Sequence, residues 1–501
     1  MNDGIIHPFL FPFVPGFPVP SFSPMLFQHP SPPIEVMAEM NKREFLKSSG
    51  AFVAGSIASR FASAQPASQQ PRAQGAATPQ GTAPHENWAG NIHYSTDQVH
   101  TPANLDEVRD VVKKCSKLRA LGSRHSFNHI ADSNQNQVSL ANLNAIEIDE
   151  HARTVRVGAG VRYGQLAPVI DAKGYALHNL ASLPHISVAG AIATATHGSG
   201  LHNGNLATAV RALEIVTDNG DVLQLSRDKD NDQFAAAVVG LGAVGIVTRV
   251  TLDLQPTFQV AQTVYQNLSF SELERNFDGI FGAGYSVSLF TDWQNHRATQ
   301  VWIKRRLAAG ETHNPAPDFY NAKRATEKLH PIAGHPAESC TEQMGIPGPW
   351  YQRLPHFKME FTPSSGRELQ TEYFIPREHG YEAILAVEKL KDKITRHLFV
   401  TELRTIAADS LWMSTAYQRD SLAIHFTWKP EWDTVKQILP QIEAQLKPFN
   451  PRPHWAKLFT IPPQQLQSQY TRLAEFKSFV NRHDPSGKFR NEFLQTNLYA
   501  S

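Results

Sequence analysis

Between residues 99 and 256, the apolar positions switch repeatedly between helical and strand spacing. Apolar residues that recur at helical intervals predict helices over 104–117, 164–173 and 232–239. Short apolar runs bounded by turn residues predict strands at 118–121, 138–143, 145–149, 154–157, 210–217, 220–224 and 245–254. This part of the chain therefore mixes helices and strands.

From residue 257 to about 459, apolar runs alternate with polar positions at the two-residue spacing of strands. These runs lie at 260–268, 286–291, 300–304, 369–374, 399–406 and 421–427. Helices are predicted between and after them, at 381–395, 432–446 and 466–482. Strands and helices in this arrangement predict an antiparallel sheet that is covered on one face. The predicted fold class is therefore α+β.

The first 86 residues have a different composition. Residues 1–33 are rich in Pro and Phe without any periodicity, which is typical of a disordered extension. A bacterial export signal over about 37–64 is indicated by Lys42-Arg43, a weakly apolar stretch at 48–61, and Ala62-Ser-Ala64. Lys42 stands where a twin-arginine signal has its first arginine, and a linker follows the signal. Export predicts a periplasmic or secreted protein. The alternative is a disordered tail on a cytoplasmic one.

If this signal is used, the mature protein begins near Gln65, directly after the A-x-A end of the signal. Mass spectrometry of the mature N-terminus from the native host measures this directly. A chain that still begins at Met1 in a cytoplasmic fraction would contradict export.

The 501-residue chain is long enough for two sizeable domains. Its 41% hydrophobic and 19% charged residues are ordinary for a globular protein, and its formal charge of +1 gives no field that would gather nucleic acid. The two cysteines exclude a disulfide framework. Cys115 and Cys340 are expected to be free buried thiols, with a single bridge as the alternative. The 48–61 stretch, interrupted by Arg60, is too short for a stable membrane span.

Two segments carry the candidate chemistry. Leu121-Gly-Ser-Arg-His-Ser126 places His125 on a turn directly after a predicted strand. Residues 181–200 are nearly devoid of large side chains, so their backbone can approach a flat ligand and its N–H groups can bind an anion. Together, the two segments predict a phosphate-bearing cofactor with a reactive ring.

Other motifs exclude competing classes of protein. Gly240-Leu-Gly-Ala-Val-Gly245 has the spacing of a dinucleotide-binding fingerprint, but it follows a predicted helix and precedes a strand, the reverse of a Rossmann domain. Gly158–Gly164 lies between a strand and a helix but has the wrong spacing. A hydrolase would need G-x-S-x-G, which the chain lacks. His125 and His129 have H-x-x-x-H spacing without the Glu of a zinc motif, so no metal site is predicted.

The histidine turn and the small-residue tract, together with Asn87–Ile92 and Asp484–Phe489, closely resemble the flavin-dependent alditol oxidases. Those enzymes belong to the vanillyl-alcohol-oxidase type of flavoproteins, alongside the aldonolactone oxidases. The resemblance implies an FAD-binding domain of the p-cresol-methylhydroxylase type (PCMH-type), made of two α+β subdomains. The three regions that it implies are this domain at 87–257, an antiparallel-sheet substrate-binding (cap) domain at 258–461, and a C-terminal segment at 462–501 that returns to the FAD domain.

By this resemblance, His125 is joined covalently to FAD. Relatives with a second covalent bond use a cysteine of the small-residue tract. Cys115 and Cys340 lie elsewhere, so a single bond is expected. Arg124 stands where the wider superfamily often has Gly, and it therefore needs a negative φ or carries strain. The other residues expected to contact FAD are Leu121, Gly122, Ser123, Arg124, Ser126, Ser182, Ser187, Gly190, Ala191, Ile192, Ala193, His197, Gly198, Gly245 and Ile246.

Three later segments carry polar residues at strand spacing or near a strand end. Glu402 and Arg404 fall on one face of a predicted strand. His425 and Thr427 do the same on another strand, and Lys457 follows further on. A solvated strand face with a salt bridge is the ordinary interpretation. The resemblance favours an active site instead, with Lys457, His425, Arg404 and Glu402 as catalytic residues and with substrate contacts from Ser182, Glu402, Arg404, Thr427 and Lys457.

Side-chain chemistry indicates a role for each of these residues. Lys457 and His425 can hydrogen-bond a substrate hydroxyl and accept its proton if one of them is neutral. Arg404 can stabilise negative charge on the reduced flavin. The remaining hydroxyls of a polyol can be held by Glu402, Ser182 and Thr427.

The expected reaction is oxidation of a terminal hydroxyl of an open-chain polyol, such as xylitol or sorbitol, to the aldose, with hydride transfer to flavin N5. Oxygen would reoxidise the flavin and give H2O2. The alternative within flavoenzymes is an aldonolactone oxidase or dehydrogenase of the D-arabinono-1,4-lactone type. A non-enzymatic sugar-binding module is the alternative of a different class. The expected partners are a polyol and O2, without nucleic acid, and the chain is expected to be a monomer.

Overall fold

The computed structural model describes residues 85–308 and 310–500. The predicted export signal at 37–64 lies outside the described residues. Within them, no helix combines the length and the apolar character that a bilayer crossing needs. Cys115 and Cys340 are free and buried, as predicted.

A small parallel sheet supports the turn that carries His125. Its elements are β1 (Val99–His100), α1 (Leu105–Lys114), β2 (Arg119–Leu121) and β3 (Gln137–Ser139), and β3 lies between the other two strands. The Asn104 side chain caps α1 by accepting a hydrogen bond from Glu107 N. Val108 and Val112 on the buried face of this helix pack with Ile246 in one apolar cluster. Since β2 ends at Leu121, the histidine turn begins where the strand ends.

A second sheet is antiparallel and follows in the chain. The elements of this region are β4 (Ile146–Asp149), β5 (Thr154–Gly158), α2 (Tyr163–Asp171), β6 (Tyr175–Ala176), α3 (Val188–Ala193), β7 (Val210–Val216), β8 (Val222–Ser226), α4 (Arg227–Val238), β9 (Ile246–Asp253) and β10 (Gln255–Pro256). The sheet has the order β4–β5–β9–β7–β8, and β6 pairs with β10. The predicted hairpin is present, and Gly220 has a φ of 83° in its turn. Helix α3 lies within the small-residue tract and was not predicted.

The largest sheet is entirely antiparallel. The elements of its region are β11 (Gln259–Ser269), α5 (Phe270–Arg275), α6 (Phe277–Phe281), β12 (Ser286–Thr291), β13 (Arg297–Leu307), β14 (Asp318–Phe319), β15 (Ala322–Arg324), β16 (Gly348–Pro349), β17 (Leu369–Pro376), α7 (Gly380–Glu388), α8 (Lys391–Ile394), β18 (Leu398–Ile406), β19 (Ser421–Trp428), α9 (Trp432–Leu446) and β20 (Arg452–Pro453). Its order is β14–β15–β11–β13–β12–β18–β19–β17–β20, with β16 paired to β11. The predicted α+β class with an antiparallel sheet is confirmed.

The C-terminal elements differ from the prediction of one helix over 466–482. They are α10 (Pro463–Ser468), α11 (Leu473–His483), α12 (Glu492–Leu494) and a π-helical turn (Gln495–Tyr499). The predicted helix is interrupted because Tyr470 is buried against Trp455, with ring centroids 4.9 Å apart. Beyond α11, the carbonyl oxygens of Lys488 and Phe489 accept hydrogen bonds from Leu118 N and Arg119 Nη1. The domain bounds themselves stay a prediction.

Short 3₁₀ turns complete the secondary structure of the described chain. They lie at His129–Ala131, Leu206–Ala209, Ala337–Ser339, Trp350–Gln352, Arg377–His379, Thr395–His397 and Lys447–Phe449. Strand β13 extends well beyond the predicted 300–304, because its polar ends pair with β11, from Gln259 opposite Leu307 to Ser269 opposite Arg297. Pairing partners therefore lengthen a strand that its own alternation predicts only in part.

The order of the large sheet places its polar residues in one row. Strands β17, β19 and β18 are neighbours although they are well separated in sequence. Glu372 pairs with His425, and His425 pairs with Glu402 on its other side. Arg404 and Thr427 lie two residues along their strands and hence on the same face. This face of the sheet therefore carries a dense group of ionisable side chains.

Candidate active site

A cavity joins the histidine turn to the polar face of the large sheet. From the predicted cofactor residues, its wall includes Leu121, Gly122, Ser123, Arg124, His125, Ser126, Ser182, Ser187, Gly190, Ala191, Ile192, Ala193, His197 and Gly245. From the predicted catalytic and substrate residues, it includes Ser182, Glu402, Arg404, His425, Thr427 and Lys457. The structure therefore brings nearly all of the predicted site residues to one cavity.

Gly198 and Ile246 are the predicted cofactor residues that the structure does not place on this wall. Gly245 and Val247 line the cavity, so the intervening Ile246 side chain points to the opposite side of the strand, where it packs with Val108. At Gly198, a Cβ atom would meet the carbonyl oxygen of Leu180 at 2.4 Å. This glycine is therefore required by close packing of the backbone rather than by contact with a cofactor.

His125 is half-buried in the cavity wall, and its two ring nitrogens are buried. Both of its ring nitrogens are without a hydrogen-bond partner among the described residues. The ring stacks on Trp88, with centroids 5.3 Å apart and planes 17° apart. Burial, with a smaller effect of His185, lowers the pKa of His125 to about 3, so the imidazole is neutral. Unpaired buried nitrogens are costly, and they fit a residue that bonds to a cofactor in this cavity.

The turn around His125 is held in a strained conformation. Arg124 has a φ of 63°, in the left-handed region that favours glycine. The expectation of a negative φ is therefore wrong, and the alternative of strain holds. Trp88 N donates to Arg124 O at 2.8 Å, and Asn87 Nδ2 donates to Ser126 O at 2.9 Å. These bonds stabilise the strained turn from the preceding segment.

The small-residue tract packs tightly against the same turn. Ser187 N donates to Ser123 Oγ at 3.0 Å. A Cβ atom on either Gly122 or Gly190 would lie 2.8 Å from Ser187 Oγ. Both glycines therefore leave room for the Ser187 hydroxyl where the two segments meet at the cavity. A wall of this kind, without large side chains, fits a flat cofactor.

Glu372 lies at the centre of the charged group at the other end of the cavity. Its fully buried carboxylate accepts hydrogen bonds from Arg404 Nη2 and Lys457 Nζ, each at 2.7 Å. His197 Nε2 lies 3.2 Å from the same carboxylate. Burial alone would raise the pKa of Glu372, but Lys457, His197, Arg404 and His425 hold it well below its ordinary value. Glu372 is thus an ionised carboxylate in a dry site.

Lys457 and His425 form a close pair beside Glu372. Lys457 Nζ lies 2.6 Å from His425 Nδ1, and His425 Nε2 lies 3.2 Å from Thr427 Oγ1. Burial and then the charge of Lys457 lower the pKa of His425 to about 4. Burial also lowers the pKa of Lys457, against the effect of Glu372. The His425 ring is therefore neutral near pH 7, and its Nδ1 is a basic site that faces Lys457 Nζ.

One oxygen of the Glu402 carboxylate is hydrogen-bonded to a histidine and lies close to Arg404. Glu402 Oε1 is 2.8 Å from His356 Nε2 and 3.5 Å from Arg404 Nε. Burial alone would raise the pKa of Glu402, but Arg404 and His356 lower it, so the carboxylate stays ionised. Arg404 Nη1 also donates to Ser182 Oγ at 3.2 Å, which joins the large sheet to the small-residue tract.

Several residues of this site were not predicted from the sequence. Glu372 could have been found as the lone carboxylate in the apolar strand Leu369–Pro376. Lys304 and His356 carried no recognisable motif. Asn128, two residues beyond the histidine turn, donates to Trp455 O at 2.9 Å and to Lys457 O at 2.7 Å. The segment that follows the histidine turn is thereby hydrogen-bonded directly to the backbone of Lys457, the predicted catalytic lysine.

Comparison with family models agrees with this arrangement. An FAD-binding domain model matches residues 96–226, and a D-arabinono-1,4-lactone oxidase model matches residues 361–497. The first match contains the histidine turn, and the second contains Arg404, His425 and Lys457. Fold and site together define an FAD-dependent oxidoreductase, and the predicted cofactor is confirmed.

Similar proteins make the assignment more specific. An alditol oxidase from a Streptomyces species is 48% identical over 414 residues, which cover 82% of this chain and 97% of that protein. The chain belongs to the alditol oxidase family. L-gulonolactone oxidase from Mus musculus is more distant, at 26% identity over 83% of this chain and 98% of that protein. The predicted resemblance is confirmed, and a non-enzymatic binding module is excluded.

The solved structure of cholesterol oxidase from Brevibacterium sterolicum superposes with a TM-score of 0.67. The match covers 83% of this chain and 96% of that protein, at 16% sequence identity. At this identity the likeness concerns the fold alone. Together with the FAD-binding domain match, it confirms the predicted fold class.

Proposed function

We propose that this enzyme oxidises a terminal hydroxyl of an open-chain polyol to the aldose and that O2 reoxidises the flavin, giving H2O2. The observation that carries the proposal is the Lys457–His425 pair, whose nitrogens lie 2.6 Å apart beside the buried carboxylate of Glu372. Identity of 48% with an alditol oxidase supports a polyol as the substrate. When bound, FAD supplies the acceptor for the hydride that leaves the alcohol carbon.

The pair accepts the proton that the alcohol loses. The Lys457 ammonium group passes a proton to His425 Nδ1, 2.6 Å away, and Nζ, now a neutral amine with a free lone pair, accepts the proton of the hydroxyl. The pair then carries two protons, and the negative charge of Glu372, 2.7 Å from Lys457 Nζ, stabilises the added positive charge. General base assistance of this kind contributes about 10²–10⁴-fold to a rate.

Other wall residues orient the polyol. The Glu402 carboxylate accepts from a substrate hydroxyl, and the hydroxyl groups of Ser182 and Thr427 serve as donor or acceptor. Arg404 remains cationic because Glu402 and Glu372 raise its pKa, although burial opposes this effect. With FAD bound in this cavity, the charge of Arg404 would stabilise negative charge that develops on the cofactor. A site with buried groups of this kind rejects deoxy analogues, which leave those groups unpaired.

The residues that would hold FAD include His125, Ser123, Ser187 and Gly190, which line the cavity. We expect one covalent bond, through a ring nitrogen of His125, because both nitrogens are unpaired in this wall. After acid precipitation, the yellow colour should stay with the protein, and the band should fluoresce in a denaturing gel. His125→Ala should release its flavin in the same assay. Release of all flavin from the wild-type enzyme would contradict the covalent bond.

An aldonolactone oxidase remains the second candidate, favoured by the family match over residues 361–497. Steady-state rates on a panel of alditols and aldonolactones, with O2 and with an artificial electron acceptor, separate the candidates. A higher kcat/KM for xylitol or sorbitol with O2 supports alditol oxidation. A preference for lactones would overturn alditol oxidation. Separately, gel filtration of the same enzyme tests the predicted monomer.

A further inference from the structure

Behind Glu402, away from the Lys457–His425 pair, lies a buried lysine–histidine pair. His356 Nε2 is 2.8 Å from Glu402 Oε1, and His356 Nδ1 is 2.9 Å from Lys304 Nζ. All three side chains are buried. Lys304 lies in strand β13, His356 in the segment before β17, and Glu402 in strand β18. Neither Lys304 nor His356 has a part in the proposed chemistry.

The contacts of Lys304 and of the Glu402 carboxylate together indicate which nitrogen of His356 carries the proton. The ammonium group of Lys304 donates to the carbonyl oxygens of Leu354 and Pro355 and, with its third proton, to His356 Nδ1. Nδ1 is then an acceptor, so the neutral imidazole carries its proton on Nε2 and donates it to Glu402. If Lys304 were deprotonated, it could accept a proton from Nδ1. The lone pair of Nε2 would then face the Glu402 carboxylate.

The consequence for Glu402 is that one oxygen is fixed and the other is left for a ligand. Oε1 accepts from His356 and lies near Arg404. No donor in the described part of the chain contacts Oε2. Glu402 and His356 both line the cavity. A carboxylate held in this way presents an acceptor to the cavity in one orientation.

The same short segment also fixes the second group that we assign to the substrate. His356 N and Phe357 N donate to the carbonyl oxygen of Ser182, at 2.8 and 3.1 Å. The backbone of His356 thus positions Ser182, while its ring positions Glu402. Two substrate groups on different parts of the fold are held by one residue.

We propose that His356 and Lys304 are positioning residues that hold Glu402 and Ser182 in the geometry needed to bind the hydroxyls of the polyol beyond the reacting one. The proposal rests on the function proposed above. Packing against the neighbouring aromatic rings does not by itself explain a histidine and a lysine at these positions. The His356 ring packs edge-on against Phe290 and Trp302, where an apolar ring of similar size would pack without the cost of burying an ammonium group.

Two substitutions of His356 separate hydrogen bonding from packing. His356→Phe keeps a ring against Phe290 and Trp302 but removes the donor to Glu402. His356→Gln loses the ring but places an amide donor near the position of Nε2. If His356 acts by positioning Glu402, H356F should weaken polyol binding about 10-fold or more, and H356Q should stay closer to the wild type. The opposite order would show a packing role and overturn the proposal.

Polyol binding is measured in two ways. Anaerobic stopped-flow gives the dissociation constant and the limiting rate of flavin reduction, and the effect should fall mainly on the dissociation constant. Calorimetry with xylitol and chemically pre-reduced enzyme measures binding without turnover. Flavin content and the thermal midpoint show that each variant is folded. If lactones prove to be the substrates, the polyol function fails, and the same comparison with the best lactone still tests His356.

A double-mutant cycle tests whether Lys304 acts through Glu402. Lys304→Met should weaken binding about 10-fold in the wild-type background. If Lys304 serves only to fix the Glu402 acceptor, the same change should have little further effect in the Glu402→Gln enzyme. Additive effects would show that Lys304 acts independently and would overturn its part of the proposal. The His356 variants decide the matter if Lys304→Met does not fold.

Discussion

Replacing Lys457 by Met is expected to slow the reduction of the flavin by a polyol by at least about 10²-fold. Lys457 Nζ contacts His425 Nδ1 at 2.6 Å and Glu372 at 2.7 Å, so it lies between the predicted proton acceptor and its counter-charge. Met has a similar length but cannot carry a proton. The hydroxyl of the substrate then has no route for its proton to His425.

The reaction of the reduced enzyme with O2 provides the internal control. No substrate proton moves in that half-reaction, so Lys457→Met should change it much less. Arg404→Leu is the matched contrast, since Arg404 is bound to the same carboxylate, at 2.7 Å, but is assigned to the charge of the reduced flavin. We expect Arg404→Leu to slow both half-reactions, which stopped-flow measurements record separately.

Normal reduction by polyol in the Lys457→Met enzyme would contradict this mechanism. The segment that ends at Lys457 would then be structural, a role that its backbone hydrogen bonds to Asn128 would also serve. His425 would remain as the only candidate base. Its pKa, lowered to about 4, leaves it neutral near pH 7 and able to accept a proton.

The sequence predicted those parts of the site that have local signatures. The turn at His125 and the strand pairs Glu402–Arg404 and His425–Thr427 were recognisable because each depends on a few neighbouring residues. The Ser286–Thr291 strand and the Trp432–Leu446 helix have the predicted bounds, since one clear periodicity covers each of them.

The parts that were missed depend on strand order, which local patterns do not contain. Glu372 joins the site because β17 lies beside β19, not beside β18, which follows it in sequence. Lys304 and His356 are 52 residues apart and meet only in the folded chain. The helix predicted over 466–482 fails for a related reason, since the burial of Tyr470 against Trp455 overrides helical periodicity.

Replacing Glu372 by Gln is expected to lower the free energy of unfolding by about 3–5 kcal/mol at neutral pH, as removal of one partner of a buried ion pair does. The substitution keeps the size of the side chain. It leaves the charges of Arg404 and Lys457, which both donate to Glu372, without their central counter-charge in a buried site. Urea unfolding of the flavin-loaded enzyme measures the change.

The pH dependence gives this effect a definite sign. Burial alone would raise the pKa of Glu372, but Lys457, His197, Arg404 and His425 hold it well below its ordinary value of 4.5. A carboxyl whose pKa is lower in the folded protein stabilises the fold above its unfolded pKa, and this stability is lost as the pH falls through the folded pKa. The difference between wild type and variant should therefore shrink below pH 4.5.

Glu368→Gln is the matched control on the neighbouring part of the chain. Glu368 is equally buried, but its carboxylate accepts hydrogen bonds from Ser365 N and Gln370 Nε2 instead of from charged groups. Burial raises the pKa of Glu368, so the site disfavours its negative charge and a neutral amide of the same size should be tolerated there. This variant should lose much less stability than Glu372→Gln at neutral pH.

Glu372→Gln also tests the proton pair directly. Without the negative charge, a second proton on Lys457 and His425 is held less tightly, so the pKa of the pair falls. The limiting rate of flavin reduction should drop, and the acid limb of its pH profile should move to lower pH. A loss of stability with an unmoved acid limb would confine Glu372 to a structural role. An unchanged stability would contradict the assignment of Glu372 as the counter-charge of the site, because a buried carboxylate that binds two cations cannot be removed without cost.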